Sequence, residues 1–302
     1  MEKHKGNKKT NIVPLKDLNL TSRFLFDEVM EDPQTHQDAL SIIFGKDLPL
    51  LEKNETEKEL RVSPLLRSVR MDVFSMDMDK NIYNTEMQEQ QKADLAKRSR
   101  YYQSLIDTGL LEPGVPNYNL LNNSYIIMIM PFDLFGFKKY VYTFEPRCKE
   151  VPGLVLKDGA TRIFLNIHGE NDEEVPEELR EFLHYLEHTT DQVAEISGSE
   201  RIKRIHDRVR KVKLNEEVGV KYMQAWEEKY YEREEGREEG RKVKLVEQVC
   251  KKLKKKCTVS QIADMLEEKE GTIQAICDIA QAFEPDYDVD EIMEALQKTA
   301  GN

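Results

Sequence analysis

The sequence predicts an α/β fold with a mixed sheet, and three features of the chain lead to that prediction. The segment Val69–Gln88 has the alternating pattern of a β-hairpin, with polar turn residues near its middle. Tyr125–Met130 is a continuous apolar run, which is typical of a strand buried on both faces. Amphipathic segments of helical period lie on both sides of these strands, so we expect helices to pack on the sheet.

The composition is that of a globular protein with enough apolar residues for a sizeable core. The chain has 302 residues, of which 39% are hydrophobic and 34% are charged, and its formal net charge is −12. This acidic balance argues against a protein that coats nucleic acids, because phosphate contacts need local positive charge. It does not exclude a nuclease, since a cleft needs only a local basic rim and its metal.

Neither a signal peptide nor a membrane span is expected. No apolar h-region follows the basic start of the sequence, MEKHKGNKK. The longest apolar run, Tyr125–Met130, is too short to cross a bilayer, so we expect a cytoplasmic protein without membrane contact. The four cysteines have no CxxC spacing, which predicts ordinary reduced thiols.

The N-terminal part predicts an arm followed by two helices. Residues 1–17 begin with a basic stretch and lack periodicity, which predicts a disordered arm. Leu20–Glu31 has helical apolar spacing, and a second helix is expected over Thr35–Phe44. Glu28 or Glu31 could supply an additional acid to a site, but the solvated face of an amphipathic helix is the favoured interpretation for both.

The predicted hairpin carries the polar residues with the clearest chemistry. Glu86 and Gln88 point to the same face, because side chains alternate along a strand. A loop of odd length centred on Asp79 would set Asp72 opposite Glu86, whereas a two-residue loop would set Asp72 opposite Met87. In the first register two carboxylates lie side by side and repel each other unless a cation lies between them. Hard oxygen ligands of this kind suit Mg²⁺ or Mn²⁺.

A helix with a clear apolar stripe is expected over Glu89–Leu111, directly after the hairpin. Its residues Arg98 and Tyr101 or Tyr102 are three to four positions apart and therefore lie on one face. Together with Arg100 they form a candidate contact surface for DNA phosphates. The alternative interpretation is that the arginines are solvated and the tyrosines belong to the core.

Further strands are expected over Lys139–Phe144 and Arg162–Ile167, and a histidine motif follows them. His184 and His188 fit the pattern H-x-x-E-H, which places two histidines on one helical face as in inverted zinc proteases. Five-residue motifs arise often by chance, and this one lies in an ordinary amphipathic helix. Surface histidines are therefore the favoured interpretation.

The C-terminal part is predicted to be helical. Arg201–Leu214 is a basic amphipathic helix, whose charges we interpret as a solvated face and not as a nucleic-acid contact. The Arg-Glu-Glu-Gly repeat at 233–241 predicts a weak helix or a flexible linker, because each glycine costs a helix about 1 kcal/mol. Lys242–Lys256, Thr258–Leu266 and Thr272–Phe283 predict three short helices. The last two have helix-turn-helix spacing, but the last contains no Lys or Arg, which favours an interaction module over a DNA reader.

Several of these segments together resemble the recombination-promoting nuclease family, whose members are also labelled transposases and belong to the PD-(D/E)XK nuclease superfamily. The resemblance is carried by Asp72, by Glu86-Met87-Gln88 and by the KRSRYY motif at 97–102. The stretches LTSRFLFDEVMEDP, RSRYYQSLID and YIIMIMPFDLFG agree with it, so the similarity covers roughly residues 18–235. The chain departs from the wider superfamily at Gln88, where Lys is common, whereas this family usually has Gln.

The resemblance implies a restriction-endonuclease-like αβββαβ core with a mixed sheet, followed by a helical C-terminal region. Together with the glycine repeat and the helical patterns of the C-terminal part, it gives the expected division of the chain. The expected parts are a disordered arm (1–17), a nuclease-like core (18–170), a helical extension (171–232), a charged glycine-containing linker (233–241) and a small helical interaction module (242–302).

The leading hypothesis is a DNA endonuclease that depends on Mg²⁺, with Mn²⁺ as a substitute. Asp72 and Glu86 would bind the metal together with the main-chain carbonyl of Met87, and Gln88 would hydrogen-bond the attacking water or a phosphate oxygen. The resemblance adds a context of recombination, mobile elements or phage defence. We expect DNA as a partner, and a second copy of the chain or another protein at the C-terminal helices.

Two hypotheses from other classes stay open. The first is a catalytically inactive protein that keeps the nuclease fold for interactions, which Gln88 and the acidic balance suggest. The second, less favoured, is a zinc hydrolase that uses His184 and His188.

Overall fold

The computed structural model describes residues 12–60, 69–110, 114 and 116–300. The predicted disordered arm lies mostly outside the described residues, and Leu15–Asp17 within it form a short 3-10 helix. The chain divides into two compact units, Met1–Tyr222 and Met223–Asn302. A search of the described residues finds no helix that is long and apolar enough to cross a membrane.

The first unit contains the predicted succession of helices and strands. Its elements are α1 (Arg23–Met30), α2 (Pro33–Phe44), β1 (Leu51–Leu60), β2 (Val69–Asp77), β3 (Ile82–Met87), α3 (Leu95–Thr108), β4 (Ser124–Met130), β5 (Val141–Phe144), β6 (Ala160–Asn166), α4 (Glu177–Glu187), α5 (Asp191–Ile196) and α6 (Glu200–Leu214). The order of the elements from α1 to β6 contains the αβββαβ pattern, so the predicted fold class is confirmed.

The six strands form one mixed sheet in the order β1-β2-β3-β4-β6-β5. The pairs β1–β2 and β2–β3 are antiparallel, whereas β3–β4 and β4–β6 are parallel. β5 pairs antiparallel with β6 at the edge. Parallel pairing needs a crossover connection, and α3 lies in the crossover between β3 and β4.

Both faces of the sheet are covered, and β4 shows this most directly. Ile127 and Ile129 belong to the core on the side of α1, α2, α4 and α6. Ile126 and Met128 belong to the opposite core, which includes Leu95 and other residues of α3. All four of these β4 side chains are fully buried. Burying a side chain of this kind stabilises the folded state by about 1.5–3 kcal/mol relative to leaving it exposed. The central strands β3 and β4 are therefore buried between the two apolar cores.

The start of α2 shows how the sequence sets the ends of helices in the first unit. Asp32 caps the helix by accepting the N–H of Thr35 at 2.9 Å. Pro33 occupies the first helical turn, where its missing N–H costs nothing, so α2 begins two residues before the predicted Thr35. At the other end Gly45 has φ 64°, a left-handed conformation that glycine adopts without strain.

The second unit is helical, as predicted. Its helices are α7 (Glu216–Leu253), α8 (Val259–Leu266), α9 (Glu270–Ala280) and α10 (Val289–Ala300), and the division between the two units falls within α7. α10 was not predicted from the sequence. Its residues Ile292 and Met293 are buried in the apolar core of this unit.

The Arg-Glu-Glu-Gly repeat at 233–241 lies within α7. Gly236 and Gly240 are exposed, and Arg237 pairs with Glu234 at 3.0 Å one helical turn away. Local ion pairs of this kind offset part of the cost of glycine in a helix. Of the two alternatives, a weak helix or a flexible linker, the structure has the helix. The domain boundaries that were predicted from the sequence stay a prediction.

Candidate active site

The register of the hairpin decides which residues of β2 and β3 face each other. Val73 pairs with Thr85, so the connection is centred on Asp79. Continued by one pair, this register sets Asp72 opposite Glu86. The odd-length loop is confirmed and the two-residue loop is wrong.

The side chain of Asp77 explains why the connection has this length. Its Oδ1 accepts the N–H of Asn81 at 2.9 Å, and its Oδ2 accepts the hydroxyl of Tyr83 at 2.8 Å. Lys80, in the turn between Asp77 and Asn81, has φ 64° and donates its N–H to the carbonyl of Asp77 at 2.9 Å. An aspartate that holds its own turn in this way is typical of tight connections.

Asp72 and Glu86 lie side by side, and the side chain of each accepts a hydrogen bond from a main-chain N–H of the other strand. The Asp72 N–H donates to Oε1 of Glu86 at 3.1 Å, and the Met87 N–H donates to Oδ2 of Asp72 at 3.1 Å. Asn84, two residues before Glu86 on the same face, donates its Nδ2 to the same Oε1 at 3.1 Å. Asp72 is 1% exposed and Glu86 is 2% exposed. The two carboxylates are thus fixed in position and removed from bulk water.

This arrangement disfavours two negative charges. Burial, and then the neighbouring carboxylate of Asp72, raise the pKa of Glu86 to about 8. The hydrogen bonds from the Asp72 N–H and from Asn84 lower the pKa of Glu86, and so does the positive charge of Arg98, but they do not outweigh burial. The pair therefore favours a proton or a cation at physiological pH.

Gln88 connects this pair to α3. Its Nε2 donates to Oε2 of Glu86 at 3.4 Å, and its Oε1 accepts a hydrogen bond from the guanidinium of Arg98. Nη2 of Arg98 is also 3.9 Å from Oε2 of Glu86. The predicted shared face of Glu86 and Gln88 is present, and the arginine fixes which end of the Gln88 amide points toward Glu86.

The residues of α3 that were predicted to contact DNA separate into two pairs. Arg98 and Tyr102 face the site, with the guanidinium of Arg98 5.5 Å from the centre of the Tyr102 ring. Burial, and then the charge of Glu86, raise the pKa of Tyr102, so its hydroxyl stays protonated. Arg100 and Tyr101 are exposed on the surface of the helix. The spacing alone did not decide which tyrosine is buried.

Two residues of the site were missed in the sequence analysis. Asn84 had a usable signal, because it lies two positions before Glu86 and so shares its face. Arg23, the first residue of α1, had none, and its guanidinium pairs with Oδ1 of Asp72. Its main-chain N–H donates to Oε1 of Glu89 at 2.9 Å, just after β3. α1 is therefore tied to the hairpin at both its backbone and its side chain.

The acids Glu28 and Glu31 of the first helix lie elsewhere. Glu28 forms an ion pair with Lys221, and Glu31 is exposed after the end of α1. The acid of this helix that contacts Arg23 is Asp27, whose Oδ2 is 3.6 Å from Nε of Arg23. The predicted solvated face agrees with the exposure of Glu31, but it is wrong for Glu28, which is 9% exposed and lies among the buried residues of α1.

The donor set at the hairpin fits a hard divalent cation. Among the described residues, no group of three or more His, Cys, Asp or Glu side chains is placed to hold a metal. Asp72 and Glu86 supply two carboxylates, and the main-chain carbonyl of Met87 is the further oxygen predicted from the sequence. A buried carboxylate with a raised pKa beside a second carboxylate is an environment that a bound cation would stabilise.

The histidine motif lies on the surface. His184 and His188 are both exposed near the end of α4, with ring centroids 4.6 Å apart. His188 is 4.0 Å from Glu187, which His168 contacts at 3.0 Å. The exposure of both side chains supports the surface interpretation of these histidines.

The comparison with known families agrees with the resemblance found in the sequence. A family model described as PD-(D/E)XK nuclease family transposase matches residues 48–240, which include the hairpin, α3 and all strands of the sheet. Neither the curated proteins nor the solved structures contain a match to this chain.

Proposed function

We propose that this chain, which belongs to the PD-(D/E)XK nuclease family transposases, is a metal-dependent DNA endonuclease. The observation that carries the proposal is the buried pair of Asp72 and Glu86, joined by the hydrogen bond from the Asp72 N–H to Oε1 of Glu86 at 3.1 Å. Two buried carboxylates fixed side by side are costly unless a proton or a cation neutralises them. Such a pair on the matched family segment is the arrangement a phosphodiesterase site needs.

In this proposal Asp72, Glu86 and the main-chain carbonyl of Met87 would hold Mg²⁺, or Mn²⁺ in its place. A bound divalent ion lowers the pKa of water and stabilises negative charge on a phosphate. The protein fixes the ligands through the N–H of Met87, which holds Asp72, and through Asn84, which holds Glu86. The ligand oxygens need not reorganise when the reaction begins, because strand hydrogen bonds already orient them.

Gln88 is assigned an orienting role in the same mechanism. Its amide is too weak a base to take a proton from water, but its N–H can donate to an attacking water or a phosphate oxygen. Because Arg98 holds the amide oxygen, the NH₂ group points toward Glu86 and the metal side. The guanidinium of Arg98 places positive charge near the position where the phosphate would lie.

DNA is proposed to lie along the exposed part of α3. Arg100 and Tyr101 are accessible there, one as a phosphate partner and the other as a polar or stacking surface. Arg98 and Tyr102 would act inside the site. A role in recombination, mobile elements or phage defence, and a cytoplasmic location, follow from the resemblance and belong to the same proposal, as does a protein partner for the C-terminal helices.

A second candidate function is an inactive nuclease fold used for interactions. The observation that favours it is the ion pair between Arg23 and Asp72, which already neutralises one of the two acids without a metal. Such a protein would keep the fold and bind no divalent ion.

Plasmid cleavage separates the two candidates. Supercoiled DNA is incubated with the full chain and Mg²⁺ or Mn²⁺, and in parallel with EDTA. Nicking that needs metal and is lost in Glu86→Gln supports the endonuclease, and Glu170→Gln serves as the matched control because Glu170 forms an exposed ion pair with Lys138 at 2.8 Å. Nicking that persists in EDTA, or at full rate in Glu86→Gln, contradicts the proposed site. Absence of cleavage together with absence of metal binding favours the inactive protein.

A further inference from the structure

Arg23, the first residue of α1, has its side chain directly on Asp72, one of the proposed metal ligands. Its Nη2 pairs with Oδ1 of Asp72, and its Nε is 3.6 Å from Oδ2 of Asp27. The Asp72 side chain is 1% exposed, whereas that of Arg23 is 38% exposed. The guanidinium thus reaches inward from the surface onto a buried carboxylate.

The backbone holds Arg23 in this position. Arg23 begins α1, and its N–H donates to Oε1 of Glu89 at 2.9 Å. Burial alone would lower the pKa of Arg23, but the carboxylates of Asp72, Asp27 and Glu86 outweigh it, so the pKa is raised. A permanently charged cation is therefore held at the carboxylate pair by the start of a helix.

The oxygen that Arg23 contacts is the one a metal would use. Oδ2 of Asp72 already accepts the N–H of Met87 at 3.1 Å. On the other acid, Oε1 of Glu86 accepts two N–H groups, from Asp72 and from Asn84. Oδ1 of Asp72 faces the guanidinium, so a divalent ion that binds Asp72 there meets a positive charge on its ligand.

We infer that Arg23 is the counter-cation of Asp72 in the metal-free protein and competes with the divalent ion for that carboxylate. The inference rests on the proposed function, since it assumes that Asp72 is a metal ligand. Metal binding then displaces the guanidinium from Asp72, and Asp27, already 3.6 Å from its Nε, keeps it paired. This second carboxylate matters, because an unpaired charge in a partly buried position would be costly. Arg23 is a positioning residue that sets metal affinity, and it is not a ligand.

The experiment measures Mn²⁺ affinity of the full chain by isothermal titration calorimetry after removal of metals with EDTA and dialysis. Arg23→Gln is expected to lower the Kd for Mn²⁺ about tenfold, the factor that corresponds to one lost competing interaction of about 1.4 kcal/mol. The same variant should melt at a lower temperature than the parent when metal is absent, because Asp72 has lost its counter-ion. A purely structural role would lower stability and metal affinity together.

Arg98→Gln is the matched control, because it removes the same charge from the same carboxylate pair. Arg98 is more buried than Arg23, with 22% of its side chain exposed, and its Nη2 is 3.9 Å from Glu86. Repulsion through space alone would tighten Mn²⁺ binding in both Arg98→Gln and Arg23→Gln, because each variant removes a positive charge next to a proposed ligand carboxylate. Competition at Asp72 predicts the larger gain in Arg23→Gln. Arg23→Lys keeps the charge and the fold but not the planar guanidinium, and its Kd is expected between those of the parent and Arg23→Gln.

The outcomes distinguish this inference from the proposed function. Tighter binding in Arg23→Gln than in both the parent and Arg98→Gln, or binding seen only in Arg23→Gln, supports the inference. A parent that binds Mn²⁺ and cuts DNA, with equal or weaker affinity in both Arg23 variants, overturns the inference and leaves the endonuclease intact. Equal gains in Arg23→Gln and Arg98→Gln also overturn it, in favour of simple repulsion. If the parent and all variants bind no Mn²⁺, the metal-dependent function is overturned and the inference with it.

Discussion

Replacing Glu86 by Gln should remove a pH-dependent loss of stability from the metal-free protein. Burial and the neighbouring Asp72 raise the pKa of Glu86 from 4.5 to about 8. The folded state therefore holds this proton more tightly than the unfolded state does. The stabilisation that the folded state gains from this proton has its full value below pH 4.5 and is lost as the pH rises through 8. Since one pKa unit corresponds to about 1.4 kcal/mol, we expect a loss of about 2–5 kcal/mol across this range.

The free energy of unfolding is measured with urea and far-UV circular dichroism, in EDTA, from about pH 6.5, above the range in which buried His36 affects stability, to about pH 9. The parent should lose stability over that interval, whereas Glu86→Gln, which cannot titrate there, should be nearly flat. The control Glu170→Gln should follow the parent, because its carboxylate lies in an exposed ion pair. Excess Mn²⁺ should restore the parent at about pH 8 by binding the folded state, but it should not restore Glu86→Gln.

Two results would refute this reasoning. A parent whose stability is constant from about pH 6.5 to about pH 9 would mean that Glu86 titrates like an ordinary carboxyl group. A loss of the same size in Glu86→Gln would assign the pH dependence to another group. In either case the electrostatic argument for a cation at the hairpin would fail, even though the contacts of Glu86 remain.

Three further predictions concern Asp72, His36 and His184. Asp72→Asn relieves the repulsion of Glu86 but removes the partner of Arg23, so without metal its stability should stay within about 1 kcal/mol of that of the parent. Thermal melts should show that most of the stabilisation by Mn²⁺ is lost in this variant. An undiminished stabilisation by Mn²⁺ would exclude Asp72 as a ligand. His36 is fully buried, and burial lowers its pKa from 6.5 to about 4. Urea titrations should therefore show the parent losing about 3 kcal/mol relative to His36→Gln as the pH falls from 6.5 to 4, since the contribution of Glu86 is common to both proteins. An equal acid loss in both would assign it elsewhere. His184→Ala should leave zinc content and cleavage unchanged by metal analysis and plasmid assay, and a drop in stoichiometric zinc would revive the zinc hydrolase.

The parts of the site that follow a local period could be predicted from the sequence. Alternation along β3 placed Glu86 and Gln88 on one face, and the continuous apolar run predicted the buried strand β4. The register across the hairpin was narrowed to two alternatives, because turn length depends on whether Asp77 closes the loop with its side chain. Helical spacing placed Tyr101 and Tyr102 near Arg98 but could not say which one faces the core.

The remaining features depend on contacts between distant parts of the chain. The pairing of Arg23 with Asp72 needs the position of α1 on the sheet, which no periodicity encodes. The continuous helix through the repeat at 233–241 depends on the sum of many small free-energy contributions. Local ion pairs stabilise the helix there, whereas Gly236 and Gly240 destabilise it. Intrinsic propensity alone does not decide between a helix and a linker there.

The hairpin brings its two acids together through a short loop, whereas their arginine comes from a remote helix. Asp72 and Glu86 are only 14 positions apart, and β-hairpins form in about 1–10 µs. Bringing α1 to the hairpin closes a larger loop, which costs more closure entropy. The hairpin alone therefore brings the two acids together, whereas Arg23 reaches Asp72 only where α1 packs on the sheet. A change that releases α1 from the sheet would remove this arginine from Asp72 and leave the two acids side by side.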